Sequence, residues 1–147
     1  MDKQKFKTIM NEVLLKNGLK KSNKLYTYSS DEVVAVIGLQ KSNYANGYYI
    51  NVGFIIKTLS QNDKLRDVDG DVRARITIKK SEEETDFFDL DYLTDDHEFL
   101  VESTISSYIQ EILIPSSNII GLKNLLEIKP KYLYQTTLKA KQVLGFL

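Results

Sequence analysis

No cysteine and no tryptophan occur among the 147 residues, and His97 is the single histidine. Lacking cysteine, the chain has no disulfide framework, thiolate nucleophile or Cys-ligated metal site. Long apolar runs are missing as well. The longest, Val33 to Leu39, falls far short of the ~20 residues a membrane-spanning helix needs. The first residues, Met1 to Lys7, are charged without an apolar stretch behind them, so a secretory leader is not expected and the chain reads as soluble and cytoplasmic. Only Arg66, Arg73 and Arg75 of the twenty basic residues are arginine. Bidentate phosphate recognition favours arginine, so neither nucleic acid nor a membrane is an expected partner. Gly-x-x-x-x-Gly-Lys, Gly-x-Gly-x-x-Gly and Gly-x-Ser-x-Gly are all missing, which leaves nucleotide binding of those kinds and serine hydrolysis without support. No cofactor is implied.

With 42% apolar and 27% charged residues, the chain has the composition of one globular domain spanning 1–147. Its zero net charge conceals segregation. Residues 1–80 carry fifteen bases and eight acids, residues 81–111 carry eleven acids and no base, and residues 112–147 carry five bases and one acid. Such an acidic stretch could steer a cationic partner. Its plain alternative is a solvated loop and helix start.

Phe6, Ile9, Met10, Val13 and Leu14 recur at helical spacing, and Gly18 supplies the stop. Leu25–Tyr28 reads as a strand, preceded by a solvated helix end and loop bearing Lys16, Lys20, Lys21 and Lys24. Val33–Asn43 and Tyr48–Lys57 flank Asn46-Gly47, the pair preferred in two-residue type I′ hairpins. That turn pairs Ala45 with Tyr48, Lys41 with Val52 and Ile37 with Ile56, all on an apolar face. The opposite face then pairs Tyr44 with Tyr49, Ser42 with Asn51, Gln40 with Gly53 and Gly38 with Ile55. Ser60–Asp71 reads as a loop. Val72, Ala74, Ile76 and Ile78 alternate with Arg73, Arg75, Thr77 and Lys79 as a half-buried strand with a basic outer face. A strand through Phe87–Leu90 is expected to pair with it, with Glu82–Glu84 in the connection. Asp95 and Glu98 suggest a capping box, followed by a stripe of Val101, Ile105, Tyr108, Ile109 and Ile112 ended by Pro115. Ser117 is the expected cap of a helix with Ile119, Ile120, Leu122, Leu125 and Leu126. A final helix after Pro130 should turn Leu133, Leu138 and Leu144 inward. The class is α+β: an N-terminal helix, an antiparallel sheet of four to five strands containing the Asn-Gly hairpin, then C-terminal helices.

Several constellations fail on their own chemistry. Asp67-Val68-Asp69-Gly70-Asp71 resembles a calcium loop, but that register puts Leu65 and Ile76 where oxygen ligands are required. His97 among Asp95, Asp96 and Glu98 permits a metal site on paper, yet neighbouring carboxylates on a helix start diverge and capping accounts for them. Asp89 and Asp91 would share a strand face, but nothing desolvates one and not the other, as acid–base partition requires. No catalytic or metal-ligating residue is therefore assigned. The mixed hairpin face stands out instead. Gln40, Ser42, Tyr44, Tyr49 and Asn51 put hydrogen-bonding groups and aromatic area on one surface, beside Gly38 and Gly53. Glycine inside a strand often marks close approach by a ligand or another backbone. The face reads either as a binding surface or as the seat of a helix packed over the glycines.

The same residues carry a resemblance. A starting helix, Gly18-Leu19-Lys20-Lys21, Leu25-Tyr26, Gln40-Lys41-Ser42 and Tyr49-Ile50-Asn51-Val52-Gly53 follow in an order that resembles the bacterial domain-of-unknown-function family 4304 over about residues 5–128. Asp86-Phe87-Phe88-Asp89-Leu90 is similar to that family's acidic-aromatic strand, although tryptophans are frequent there. The resemblance implies a small α+β domain and carries no activity. Three functional expectations follow. The first is a non-enzymatic module engaging a protein partner, with immunity proteins as the analogy. The second is a small-molecule binder or hydrolase using the hairpin face. The third is a homodimer formed through an exposed sheet edge.

Overall fold

A computed structural model describes residues 1–60, 66–67 and 70–147. Most of the segment between Ser60 and Gly70, including Val68 and Asp69 of the calcium-like run, lies outside the described residues. Helix α1 (Lys3–Lys16) forms where the 3.6-residue stripe predicts, and all five stripe residues are buried. Asp2 opens it by accepting from the Lys5 N–H at 2.8 Å, while Gly18 takes a left-handed φ of 91° just past its end.

Next come β1 (Lys20–Ser22), β2 (Leu25–Ser29), β3 (Val33–Lys41), β4 (Gly47–Ile56), β5 (Val72–Arg75), β6 (Ile78–Lys80), β7 (Glu83–Thr85) and β8 (Phe87–Asp89). Strands β1 to β5 form an antiparallel sheet in sequence order, and β8 adds to β4 beside β5. Strands β6 and β7 make a separate two-stranded ribbon. Helix α2 (Glu98–Tyr108), a π-helical turn (Ile109–Leu113), α3 (Ile119–Ile128), a 3₁₀ segment (Pro130–Gln135) and α4 (Leu138–Leu144) complete the α+β architecture. Among the described residues no helix is long and apolar enough to cross a membrane.

One face of the sheet is core. Val33, Ala35, Ile37, Tyr48, Ile50, Val52, Phe54, Ile56, Val72 and Phe88 are buried there together with the α1 stripe. Phe6 stacks on Tyr48 with ring centres 5.3 Å apart and meets Phe88 at 6.0 Å. The other face begins with a small apolar cluster of Val34, Val36 and Ile55 and turns polar toward Gln40 and Asn51.

Long-range pairing departs from the sequence expectations in several places. Lys20–Ser22 is an edge strand rather than a loop. The hairpin connection is five residues, Ser42–Asn46, and neither Asn46 nor Gly47 has positive φ, so no type I′ turn forms. Gln40 pairs with Tyr49, Gly38 with Asn51, Ile37 with Val52 and Lys41 with Tyr48. The expected pairs Tyr44–Tyr49, Ser42–Asn51 and Gln40–Gly53 do not occur. Two local causes account for this. The Ser42 hydroxyl accepts from the Tyr44 and Ala45 N–H groups at 3.2 Å each, building a wider turn. Gly47 is needed inside β4, because a Cβ there would strike the Phe88 carbonyl and the Phe87 ring of β8. Gln40 has moved by four residues along its partner, an even number, so the division of side chains between faces is preserved.

The strand expected over 72–79 breaks after Arg75. Glu83 and Glu84 pair with Lys80 and Lys79 in the ribbon instead of lying in a loop. Phe87–Asp89 pairs with Gly47–Tyr49 rather than with β5. The cap before α2 is Thr94 and not Asp95, its N–H donating to His97 Nδ1 at 3.0 Å. Asn118 caps α3, accepting from the Gly121 N–H at 2.7 Å, whereas the buried Ser117 hydroxyl donates to the Leu113 carbonyl. Ile120 is exposed on α3. After Pro130 the chain is not one helix. Thr136 bridges to Val72, the Thr137 N–H donates to the Asp71 carbonyl at 2.8 Å, and Leu138 faces solvent while Leu144 is buried.

Candidate functional site

The polar face of β3, β4 and β5 forms one wall of a cleft of about 460 Å³. Its register follows from the pairing. Asn51 sits opposite Gly38 on β3 and Arg75 on β5, while Gly53 sits opposite Arg73. Gln40, Asn51, Arg73 and Arg75 line the cleft from the sheet, Asp67 and Asp86 from the connections, and Tyr132 and Gln135 from the C-terminal 3₁₀ segment.

A relay of hydrogen bonds runs across the strands. Asn51 Nδ2 donates to Gln40 Oε1 at 2.9 Å. Asn51 Oδ1 accepts from Arg75 Nε at 3.0 Å, and Arg75 Nη1 donates to Asp86 Oδ2 at 3.2 Å. The guanidinium carbon lies 4.1 Å from the Tyr49 ring centre, and Tyr49 in turn packs on Phe87 at 5.2 Å. Arg75 is therefore held by an amide, a carboxylate and an aromatic face at once. Its side chain and that of Asp86 are 40% and 43% exposed, so the pair itself contributes at most about 1 kcal/mol. Orientation is its main effect. Arg73 is exposed, and among the described residues nothing pairs with it. Burial, and after it the charge of Glu84, raises the Tyr132 phenol above its ordinary pKa, so it stays a hydroxyl at neutral pH.

The two glycines are explained by contact. A Cβ on Gly38 would meet the Asp67 carboxylate at 2.8 Å, and one on Gly53 would strike the Asp67 backbone. The close approach expected on this face is made by the connection at Asp67.

Of the five residues singled out from sequence, Gln40 and Asn51 line the cleft, and Tyr49 supports Arg75 from beneath. Ser42 and Tyr44 lie apart in the hairpin connection, Ser42 spent on its turn and Tyr44 exposed at the tip. Sequence reasoning missed Arg75, Asp86, Tyr132 and Gln135. The alternation in β5 put both arginines on an outer face, yet nothing local indicated that this face continues that of Asn51.

The acidic segment does not remain one surface. Asp86 pairs with Arg75, Asp89 with Lys80 at 3.2 Å, and Asp95 and Glu98 with Lys5 at 3.1 and 3.6 Å. Asp91 lies beyond the end of β8, its backbone N–H donating to Asp89 Oδ1 and its carboxylate accepting from Asn46 Nδ2, so the two acids share no strand face. His97 accepts the Thr94 N–H and packs on Tyr92 at 5.2 Å. No cluster of three potential metal-ligating His, Asp or Glu side chains occurs among the described residues.

Neither a curated protein nor a solved structure matches the chain. A family model, Domain of unknown function (DUF4304), matches residues 10–117, which take in the second half of α1, the whole hairpin and every described cleft residue except those of the C-terminal segment. The chain belongs to this family.

Proposed function

We propose that the protein is a non-catalytic binding module that engages a protein partner through the cleft on the β3–β5 face. The observation that carries this reading is the relay from Gln40 through Asn51 and Arg75 to Asp86. It holds polar side chains in one orientation before any ligand arrives, and preorganisation of that kind lowers the cost of binding. Among the described residues the cleft walls contain no Ser, Thr, Cys, Lys or His, and so no nucleophile–base pair of the usual kinds. A volume of about 460 Å³ also suits a small molecule, and this observation favours the second reading, a small-ligand binder. Small-ligand pockets are mostly apolar, however, and seven of the ten described residues that line this one carry charged or amide groups. We place the module in the bacterial cytoplasm on its cysteine-free, Lys-, Asn- and Ile-rich composition. Neutralising a toxic partner, in the manner of immunity proteins, is the specific form such a role would take.

The test uses Gln40→Trp, which adds bulk without charge at an exposed position of the cleft wall and should leave folding intact. With the partner recovered from the native host and then purified, calorimetry should show affinity lower by about tenfold or more. Unchanged affinity would overturn the reading.

A further inference from the structure

Hydrogen-bond accounting in the cleft leaves particular donors unspent. Arginine only donates, so the Asn51 oxygen must face Arg75 and its NH₂ must face Gln40. Gln40 therefore receives on Oε1, and its own NH₂ group has no acceptor among the described residues. The Arg73 fork likewise has no acceptor among the described residues. Both groups line the same cleft. Among the described lining residues the formal charges cancel, Arg73 and Arg75 against Asp67 and Asp86. A singly charged acceptor is matched by the free fork, whereas a dianion would meet stronger repulsion from the two carboxylates.

Resting on the cleft as the binding surface, we propose that Arg73 and the Gln40 amide receive a peptide carboxylate, from an acidic side chain or a chain terminus. Arg73 supplies a planar two-donor fork matched to the two carboxylate oxygens, and the amide supplies a further donor. Arg75 holds Asn51, and through it Gln40, in the donating orientation.

The test is a nuclear magnetic resonance titration of the full chain, following the Arg73 Nε–H and Gln40 side-chain NH₂ signals. Four probes are used: Ac-Ala-Glu-Ala-amide, Ac-Ala-Gln-Ala-amide, Ac-Ala-Ala-Ala with a free C-terminus, and inorganic phosphate. Saturable shifts with the glutamate peptide, the free-terminus peptide or both support the proposal, and the stronger of the two identifies the carboxylate source. Arg73→Gln should weaken that binding by about tenfold or more, and Arg73→Lys should recover only part of it. Tighter binding of phosphate, equal binding of the glutamine peptide, no saturable shift, or indifference to Arg73→Gln would each overturn the carboxylate assignment. None of those results depends on the Gln40→Trp test against the native partner, so the two readings fail separately.

Discussion

Single residues decide how closely the connection at Asp67 can approach the sheet. Gly38 and Gly53 both lie under it, but a Cβ at 38 meets a carboxylate that can rotate, whereas one at 53 meets backbone. Gly53→Ala should therefore cost about 1–3 kcal/mol in urea unfolding and Gly38→Ala clearly less. Equal costs would contradict this contact geometry. Tyr108 presents the converse case: it is buried, and its hydroxyl has no partner among the described residues. Burial, then the neighbouring Tyr132, pushes its phenol pKa strongly upward. An unsatisfied buried hydroxyl costs about 1–3 kcal/mol, so Tyr108→Phe should be as stable as the natural chain or more so. A loss beyond about 1 kcal/mol would reveal a partner. Burial pulls Asp89 upward in pKa, but hydrogen bonds from Lys80 and the Asp91 N–H outweigh it and hold the carboxyl below its ordinary value. A lowered folded pKa contributes stability above the ordinary value of 3.8 that is lost as pH falls through the folded one. The stability gap between the natural chain and Asp89→Asn should consequently narrow as unfolding is followed from about pH 5 to about pH 3. A constant gap would contradict it.

At the scale of elements, the hairpin shows what local sequence reaches and where it stops. Nine residues of β3 and ten of β4 carry enough alternation to sort core from polar side, and Gln40 and Asn51 are legible as residues of that side. The turn was not legible, because Asn46-Gly47 serves two purposes. As a local signal it spells a type I′ turn, but β8 requires Gly47 as bare backbone within the sheet, and Ser42 provides the turn instead. Ser42→Ala should then cost about 1 kcal/mol in urea unfolding while leaving the cleft signals of Gln40 and Asn51 in place. An unchanged midpoint would remove Ser42 from the turn. Helix α1 was fully legible, since five apolar residues at helical spacing need no distant information. Strands of three residues such as β1 and β7 have no period to read, and β8, legible as a strand, has its partner set by tertiary packing. Tyr132 and Gln135 reach the cleft only because Thr136 and Thr137 dock on β5 and Asp71, contacts to residues more than sixty positions earlier.

Considered as a whole molecule, the chain brings part of its acidic segment onto bases that lie far away in sequence. Lys5, Arg75 and Lys80 come from the basic part of the sequence and meet Asp95, Asp86 and Asp89 from the acidic part. Four acids of that block are held by basic partners, and the binding surface proposed above is the amide- and arginine-lined cleft. The sheet edge at β1 is three residues long, fully exposed and carries Lys20 and Lys21, features that discourage strand-to-strand pairing. Sedimentation velocity at two concentrations should give one monomer species, and a concentration-dependent dimer would point to that edge. The most direct measurement of the central claim is amide hydrogen exchange of the chain, alone and saturated with its native partner. Protection is predicted along Gly38–Gln40, Tyr49–Gly53, Val72–Arg75 and Pro130–Gln135. Protection confined to residues 82–98 or to Lys20–Ser22, with the cleft strands unchanged, would contradict it.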